Sequence, residues 1–251
     1  MSSINTRKSD IVWNYIGTIV SMASGFVLLP LLMHFLSSSE LGLWYVYVAL
    51  SNFAMLFEFG FNPTFARNIV YVISGARHLS IEGCDIKSVQ EGIDWHLLNT
   101  VIKASKVIYA ILAVVVLALL STIGSLYISF VASGMGSFDI WVSWGLFCAS
   151  VFLNLYFLWS ITVLRGYGDI AGENKAVVIG RAAQLSVSAI LLLLGYGLVG
   201  AAIGYLANAI LLRLSAVVML RKHKEIEKGR HSDTMLSLIH ISEPTRLGMI
   251  S

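Results

Sequence analysis

Four ionisable side chains stand inside stretches that are otherwise almost purely apolar: Glu58, Arg67, Arg181 and Arg213. A charge at membrane depth is costly, so such residues are functional candidates by default. Guanidinium is a planar fork that donates paired hydrogen bonds to phosphate or carboxylate, so the chemistry open to the three arginines is anion binding. Glu58 can meet a cation or a proton, and Asn62 is its neutral polar neighbour, so both are candidates for ion coupling or for lining a cavity. No nucleophile–base–acid set or nucleotide-hydrolysis motif accompanies them, which argues against an enzyme or an ATP-powered pump. Gly166-Tyr167-Gly168 has glycine spacing but lacks the strand and phosphate-loop context of nucleotide binding. His78 and His96 fall in a hydrated segment without metal-ligand spacing, and His34 reads as interfacial. Cys84 and Cys148 have neither disulfide-framework nor metal spacing. No metal, cofactor or nucleic-acid partner is expected.

Spacing decides which of these charges can act together. Glu58 and Arg67 are nine residues apart. On a straight helix that puts them about 180° from one another. They share a cavity only if the helix changes direction, and Pro63 between them is a candidate hinge. Without such a hinge, Arg67 can snorkel to the headgroups. Arg181 lies fifteen residues before Tyr196, and Arg213 sixteen after Gly197. At the helical rise both are roughly 23 Å from the turn between them, so their depths match. Either snorkelling or a bound anion accounts for the pair.

These residues must be held by membrane-spanning helices. The chain has 251 residues, 57% of them hydrophobic and 12% charged. A soluble domain carries about 25% charged residues. A hydrocarbon core of about 30 Å takes about 20 helical residues. Six segments qualify, at about 11–36, 43–73, 107–132, 140–164, 176–195 and 198–220, and residues 75–106 form a charged loop with room for a short amphipathic helix. Pro30 should kink the first helix without ending it. Glu40-Leu41-Gly42 marks a turn, Gly134-Met135-Gly136 an outer turn, and Arg165 to Lys175 a polar connection. The apolar runs do not alternate in polarity, which favours helices over a β-barrel. Gly200 and Gly204 form a small-xxx-small pair that either allows a close helix contact or reflects ordinary glycine enrichment. Trp44, Tyr45, Tyr47, Trp141 and Trp144 fall near helix ends, where interfacial anchoring explains them.

Charge sets the expected orientation. Arg7 and Lys8, Arg77 to Lys106, Arg165 to Lys175, and Arg221 to Arg230 all flank the same side of a six-helix arrangement. The opposite loops hold only Glu40 and Asp139. The bias of Lys and Arg toward the cytoplasm places both termini inside. The fold class expected is an all-α, multi-pass integral membrane protein.

The segments Ser39-Glu40-Leu41-Gly42-Leu43-Trp44 and Phe57-Glu58-Phe59-Gly60-Phe61-Asn62-Pro63-Thr64-Phe65-Ala66-Arg67 resemble the polysaccharide exporter family that includes O-antigen flippases. That family belongs to the MATE-like superfamily of multidrug, oligosaccharidyl-lipid and polysaccharide exporters. Val163-Leu164-Arg165-Gly166-Tyr167-Gly168 and Gly197-Leu198-Val199-Gly200 are similar to later segments of the family. Glu58 stands where the family more often has Asp. The resemblance implies an N-terminal six-helix bundle over residues 1–230, one of two in a flippase. Such a protein moves undecaprenyl-pyrophosphate-linked oligosaccharide across the bacterial inner membrane by alternating access, often coupled to a proton or sodium gradient. Arg67, Arg181 and Arg213 would meet the anionic headgroup and Glu58 would serve coupling. Implied partners are the polyprenyl-pyrophosphate-linked oligosaccharide, membrane lipids, a C-terminal helical bundle, and glycan polymerase and assembly proteins. Residues 236–251 look like translated transposase-type sequencing adapter, so the chain is expected to be a fragment with a non-native tail.

Two other functions fit the same elements. A small-molecule or multidrug exporter of this superfamily would favour acidic cavity residues, which arginine-bearing helices make less attractive. A non-transport membrane scaffold would tolerate neutralisation of the buried charges.

Overall fold

The computed structural model describes residues 8–58, 60–80, 83–84, 92–132 and 137–222. The turn expected at 134–136 and the tail at 236–251 lie outside the described residues. Five helical spans are long and apolar enough to cross a membrane, and a bent pair supplies a sixth. The protein is an all-α, multi-pass membrane protein, with one two-residue-per-strand hairpin (β1, Leu79–Ser80; β2, Gly83–Cys84) in a connection.

Helix α1 (Lys8–Phe35) runs through Pro30 without ending. The next helix, α2 (Ser38–Leu56), starts before the turn expected at Glu40-Leu41-Gly42. Ser37 and Glu40 form a capping box, in which the Ser37 hydroxyl accepts from the Glu40 N–H and the Glu40 carboxylate accepts from the Ser37 N–H. Two orphan donors are satisfied at once, so the helix begins there. α2 ends at Leu56 and α3 (Phe61–Ile73) follows at 44°. The turn between them uses Gly60 at φ 75°, a left-handed conformation natural to glycine. Pro63, the candidate hinge, stands in the first turn of α3, after the change of direction. A proline there loses no helical bond, because that N–H would be an orphan anyway.

The next span begins earlier than its uncharged run. α4 (Trp95–Leu119) is capped by Asp94, whose carboxylate accepts from the Leu97 N–H at 3.0 Å. Residues 95–106, placed in the loop with room for a short amphipathic helix, are instead the first turns of the span itself, and they bury Leu98, Val101, Ile102 and Ser105 on one side. A π turn at Leu120–Gly124 leads into α5 (Ser125–Val131). The fourth span is α6 (Ser137–Tyr156) and α7 (Leu158–Gly166), separated at Phe157. The Phe157 carbonyl freed there accepts from both the N–H and the hydroxyl of Ser160. Helix α8 (Ile170–Leu193) is capped by Asp169 and takes in most of the stretch expected as a polar connection. α9 (Gly197–Lys222) follows a turn with Gly195 and Gly197 at positive φ.

The α8–α9 pair shows what its glycines do. A Cβ on Gly204 would lie 1.9 Å from Ser188 Oγ, and one on Gly180 2.5 Å from Asn208 Oδ1. The pair of small residues on α9 therefore serves close packing against α8. The aromatic residues near the other helix ends divide in two. Tyr45 and Trp141 are exposed, as anchoring requires. Trp44, Tyr47 and Trp144 are buried, because they fall on the inward faces of the same two helices, α2 and α6. Tyr47 donates to the Ile140 carbonyl and meets Ser143 Oγ at 3.0 Å, and Trp144 Nε1 donates to Ser125 Oγ at 2.9 Å.

The interior holds two apolar clusters, one toward each end of the bundle. The first gathers Leu43, Tyr47, Val116, Phe147, Leu155 and Leu198. The second gathers Ile69, Leu98, Tyr109, Leu158, Leu164 and Leu220. The two broken spans pass from the first to the second at the breaks after α2 and after α6, whereas α4, α8 and α9 contribute to both along unbroken helix.

Candidate functional site

Between the two clusters lies a polar layer, and the broken helices create it. Breaking a span frees backbone groups where water is scarce, and those groups must find partners. Glu58 sits in the turn between α2 and α3, half-buried, and its Oε1 accepts from the Asn62 N–H at 3.2 Å. A carboxylate at the start of α3 also suits the positive end of that helix dipole. Asn62 Oδ1 in turn accepts from the Thr162 hydroxyl on α7 at 2.9 Å. Tyr109 of α4 meets that same hydroxyl at 3.4 Å. Side chains from α3, α4 and α7 are thus joined at one level.

Arg213 reaches this level from α9. It is 8% exposed, and its Nη2 donates to Asn154 Oδ1 of α6 at 3.3 Å. Its Nε and Nη1 are buried without a hydrogen-bond partner among the described residues. Glu58 and Tyr109 lie within electrostatic range of Arg213 but make no ion pair or hydrogen bond with it. A buried guanidinium with two unused donor directions is expensive unless something accepts from it. The arrangement can therefore receive an anion with two acceptor oxygens.

The other sequence candidates stand apart. Arg67 is exposed on α3 and makes no hydrogen bond or ion pair among the described residues. The bend between α2 and α3 does not bring it to Glu58's partners. Arg181 donates to Gln184 Oε1 on its own helix at 3.1 Å, while Arg213 turns toward α6. Matched depth therefore does not give the two arginines a shared partner. Asn62 belongs to the layer, through its side chain and its backbone.

Sequence reasoning passed over Asn154, Thr162 and Tyr109. Asn154 carried a signal, since an amide in the middle of an apolar run needs a partner. Thr162 and Tyr109 carried none, because both are common in membrane helices. Also missed was the pair of Arg165 and Glu173, which joins α7 to α8 through two hydrogen bonds, one of them Nε to Oε2 at 3.1 Å. Glu173 is buried, and Arg165 is about half exposed.

A separate cleft of 590 Å³ opens between α2 and the α4–α5 span, lined by residues such as Leu50, Phe53, Phe57, Leu120, Ile123 and Tyr127. None of the four ionisable candidates lines it. Among the described residues, no three His, Cys, Asp or Glu side chains gather as a metal site would require. No protein-family model, curated protein or solved structure matches this chain.

Proposed function

We propose that this chain is the six-helix bundle of a transporter that moves a polyprenyl-pyrophosphate-linked oligosaccharide across the bacterial inner membrane, with its N-terminus in the cytoplasm. One observation carries the reading: Arg213 is more than nine-tenths buried at the level of the helix breaks, with two donor directions unused. A pyrophosphate ester offers the paired oxygens that such a fork accepts. Support for the sidedness comes from the basic residues flanking one side of the spans. Support for the substrate class comes from the resemblance of the Glu58-to-Arg67 segment to the polysaccharide exporters. In this reading a second helical bundle completes the translocation path, and a proton or sodium gradient drives the cycle.

The test is transfer of labelled lipid-linked glycan between leaflets of liposomes that hold the protein together with the proposed second bundle. Transfer should occur, and Arg213→Ala should lower its rate at least about tenfold, as loss of a charge-assisted bidentate contact implies. Arg213→Lys should restore part of it, because charge returns without the fork. No protein-dependent transfer with or without an ion gradient, or an Arg213→Ala rate equal to wild type, would sink the proposal.

A further inference from the structure

An arginine taken out of water is ordinarily paired with a carboxylate, because an uncompensated buried charge is costly. Two arginines here follow that rule: Arg77 pairs with Asp94 at 3.5 Å, and Arg165 pairs with Glu173. Both are far more exposed than Arg213, which makes no ion pair among the described residues. The most buried of the described arginines is thus held by a neutral partner instead. That partner is Asn154 of α6, whose Oδ1 accepts from Arg213 Nη2 at 3.3 Å. Arginine only donates, so the carboxamide must face it with oxygen. Asn154 stands just before Phe157, where α6 gives way to α7, and so at the level of the polar layer.

We propose that Asn154 is the positioning residue that keeps Arg213 open to an outside anion, because it anchors the guanidinium through one nitrogen without cancelling its charge. This rests on the reading of Arg213 as an anion receptor. A carboxylate at this position would satisfy the same nitrogen and also neutralise the group, so the site would be filled from within. An apolar side chain would leave the charge but remove its anchor. The carboxamide does neither. It takes one hydrogen bond from Nη2 and leaves Nε and Nη1 for acceptor oxygens. It also fixes a long side chain before the ligand arrives, which lowers the ordering cost of binding. The charge that remains favours a ligand with several anionic oxygens, such as a pyrophosphate ester, over a neutral one.

Substitutions at this one position should separate binding from stability. Asn154→Asp supplies the counter-charge that Arg213 lacks. It should raise the unfolding temperature of the detergent-solubilised chain. It should also weaken binding of inorganic pyrophosphate and of farnesyl pyrophosphate at least about hundredfold, the scale of one like charge a few ångströms away at an effective dielectric of about 20. Asn154→Leu keeps the size and removes the anchor. It should lower the unfolding temperature and weaken binding about tenfold, as loss of a hydrogen bond to a charged group implies. Asn154→Gln returns the carboxamide and should recover part of the binding lost in Asn154→Leu. Farnesol, which has the tail without the charge, should not distinguish these variants from wild type. Wild-type pyrophosphate binding in Asn154→Asp, with Arg213→Gln still abolishing it, would overturn the role of Asn154 and leave the anion site standing. Weaker binding in Asn154→Asp that comes with a lower unfolding temperature would overturn it too, since a damaged fold gives that result. Pyrophosphate binding that survives Arg213→Gln would overturn this inference together with the anion site.

Discussion

The α8–α9 hairpin and the two broken spans solve the same problem in opposite ways. Along α8 and α9 the backbone bonds run uninterrupted, and the helices approach closely because Gly180 and Gly204 leave room for Asn208 and Ser188. Polar atoms there sit against glycine backbone. Among the described residues, Ser188 Oγ and Asn208 Oδ1 have no hydrogen-bond partner, only a neighbour small enough to allow weak Cα–H contacts. The span α2–α3 is instead interrupted near mid-length and α6–α7 about two-thirds of the way along, and each break exposes groups that need partners. Glu58 and Ser160 answer those needs locally, and Asn62 Oδ1 accepts from the Thr162 hydroxyl across the layer. Both designs bury polar side chains, but the hairpin seats Ser188 and Asn208 against glycine, whereas the breaks call polar groups in as hydrogen-bond partners. Arg213 belongs to the continuous hairpin, yet it reaches across to the broken span at Asn154. That crossing makes the layer a site as well as a repair.

The sharpest way to break this comparison is to remove the room on which the hairpin depends. Gly204→Leu should destabilise the protein by about 3 kcal/mol, the upper end for overpacking, since even a Cβ would meet Ser188 Oγ. Gly145 on α6 supplies the control, because a Cβ there meets nothing within 4 Å and Gly145→Ala should be neutral or slightly stabilising. Equal unfolding temperatures for Gly204→Leu and wild type in the same detergent would mean that the hairpin is not held by close contact.

The spans were legible in the sequence because long apolar runs can satisfy their backbone only as helices. Their beginnings were less legible. Asp94 and Asp169 each start a helix inside what reads as a charged loop, and hydropathy cannot distinguish a polar helical turn from a connection. The Ser37–Glu40 capping box was readable from spacing alone, but the glycine after it drew the boundary too late. Of the charges, Arg213 and Glu58 do meet a common layer, while Arg67 and Arg181 do not join it. Depth along a helix was computable, but the direction in which each side chain leaves the helix was not. That direction depends on which neighbours lie beside it. The break at Phe157 has no glycine or proline to announce it, so the level at which Thr162 meets Asn62 could not be read in advance.

A smaller effect is expected where the broken span joins the hairpin. Arg165→Ala leaves the buried carboxylate of Glu173 without its partner. Loss of one member of a fully buried pair costs about 3–5 kcal/mol, but Arg165 is half exposed and water screens it, so about 1–2 kcal/mol is expected. Glu173→Gln in the same background should recover part of the loss by removing the stranded charge. If the double variant were less stable than Arg165→Ala, the bond between α7 and α8 would have to work through packing instead.

The smallest effect sharpens the comparison most, because it separates charge at the break from charge merely near it. Arg67 follows Glu58 on the same bent span, yet it is exposed and makes no hydrogen bond or ion pair among the described residues. Its side chain is long enough to carry its charge toward the headgroups, and so it has no desolvation to recover. Arg67→Gln should shift stability by no more than about 0.5 kcal/mol, the usual range for an exposed site, and should leave pyrophosphate binding by the chain unchanged. A loss of binding comparable with that of Arg213→Gln would place Arg67 at the anion after all. The site would then extend out of the polar layer along α3, toward the end of the bundle where the basic loops begin.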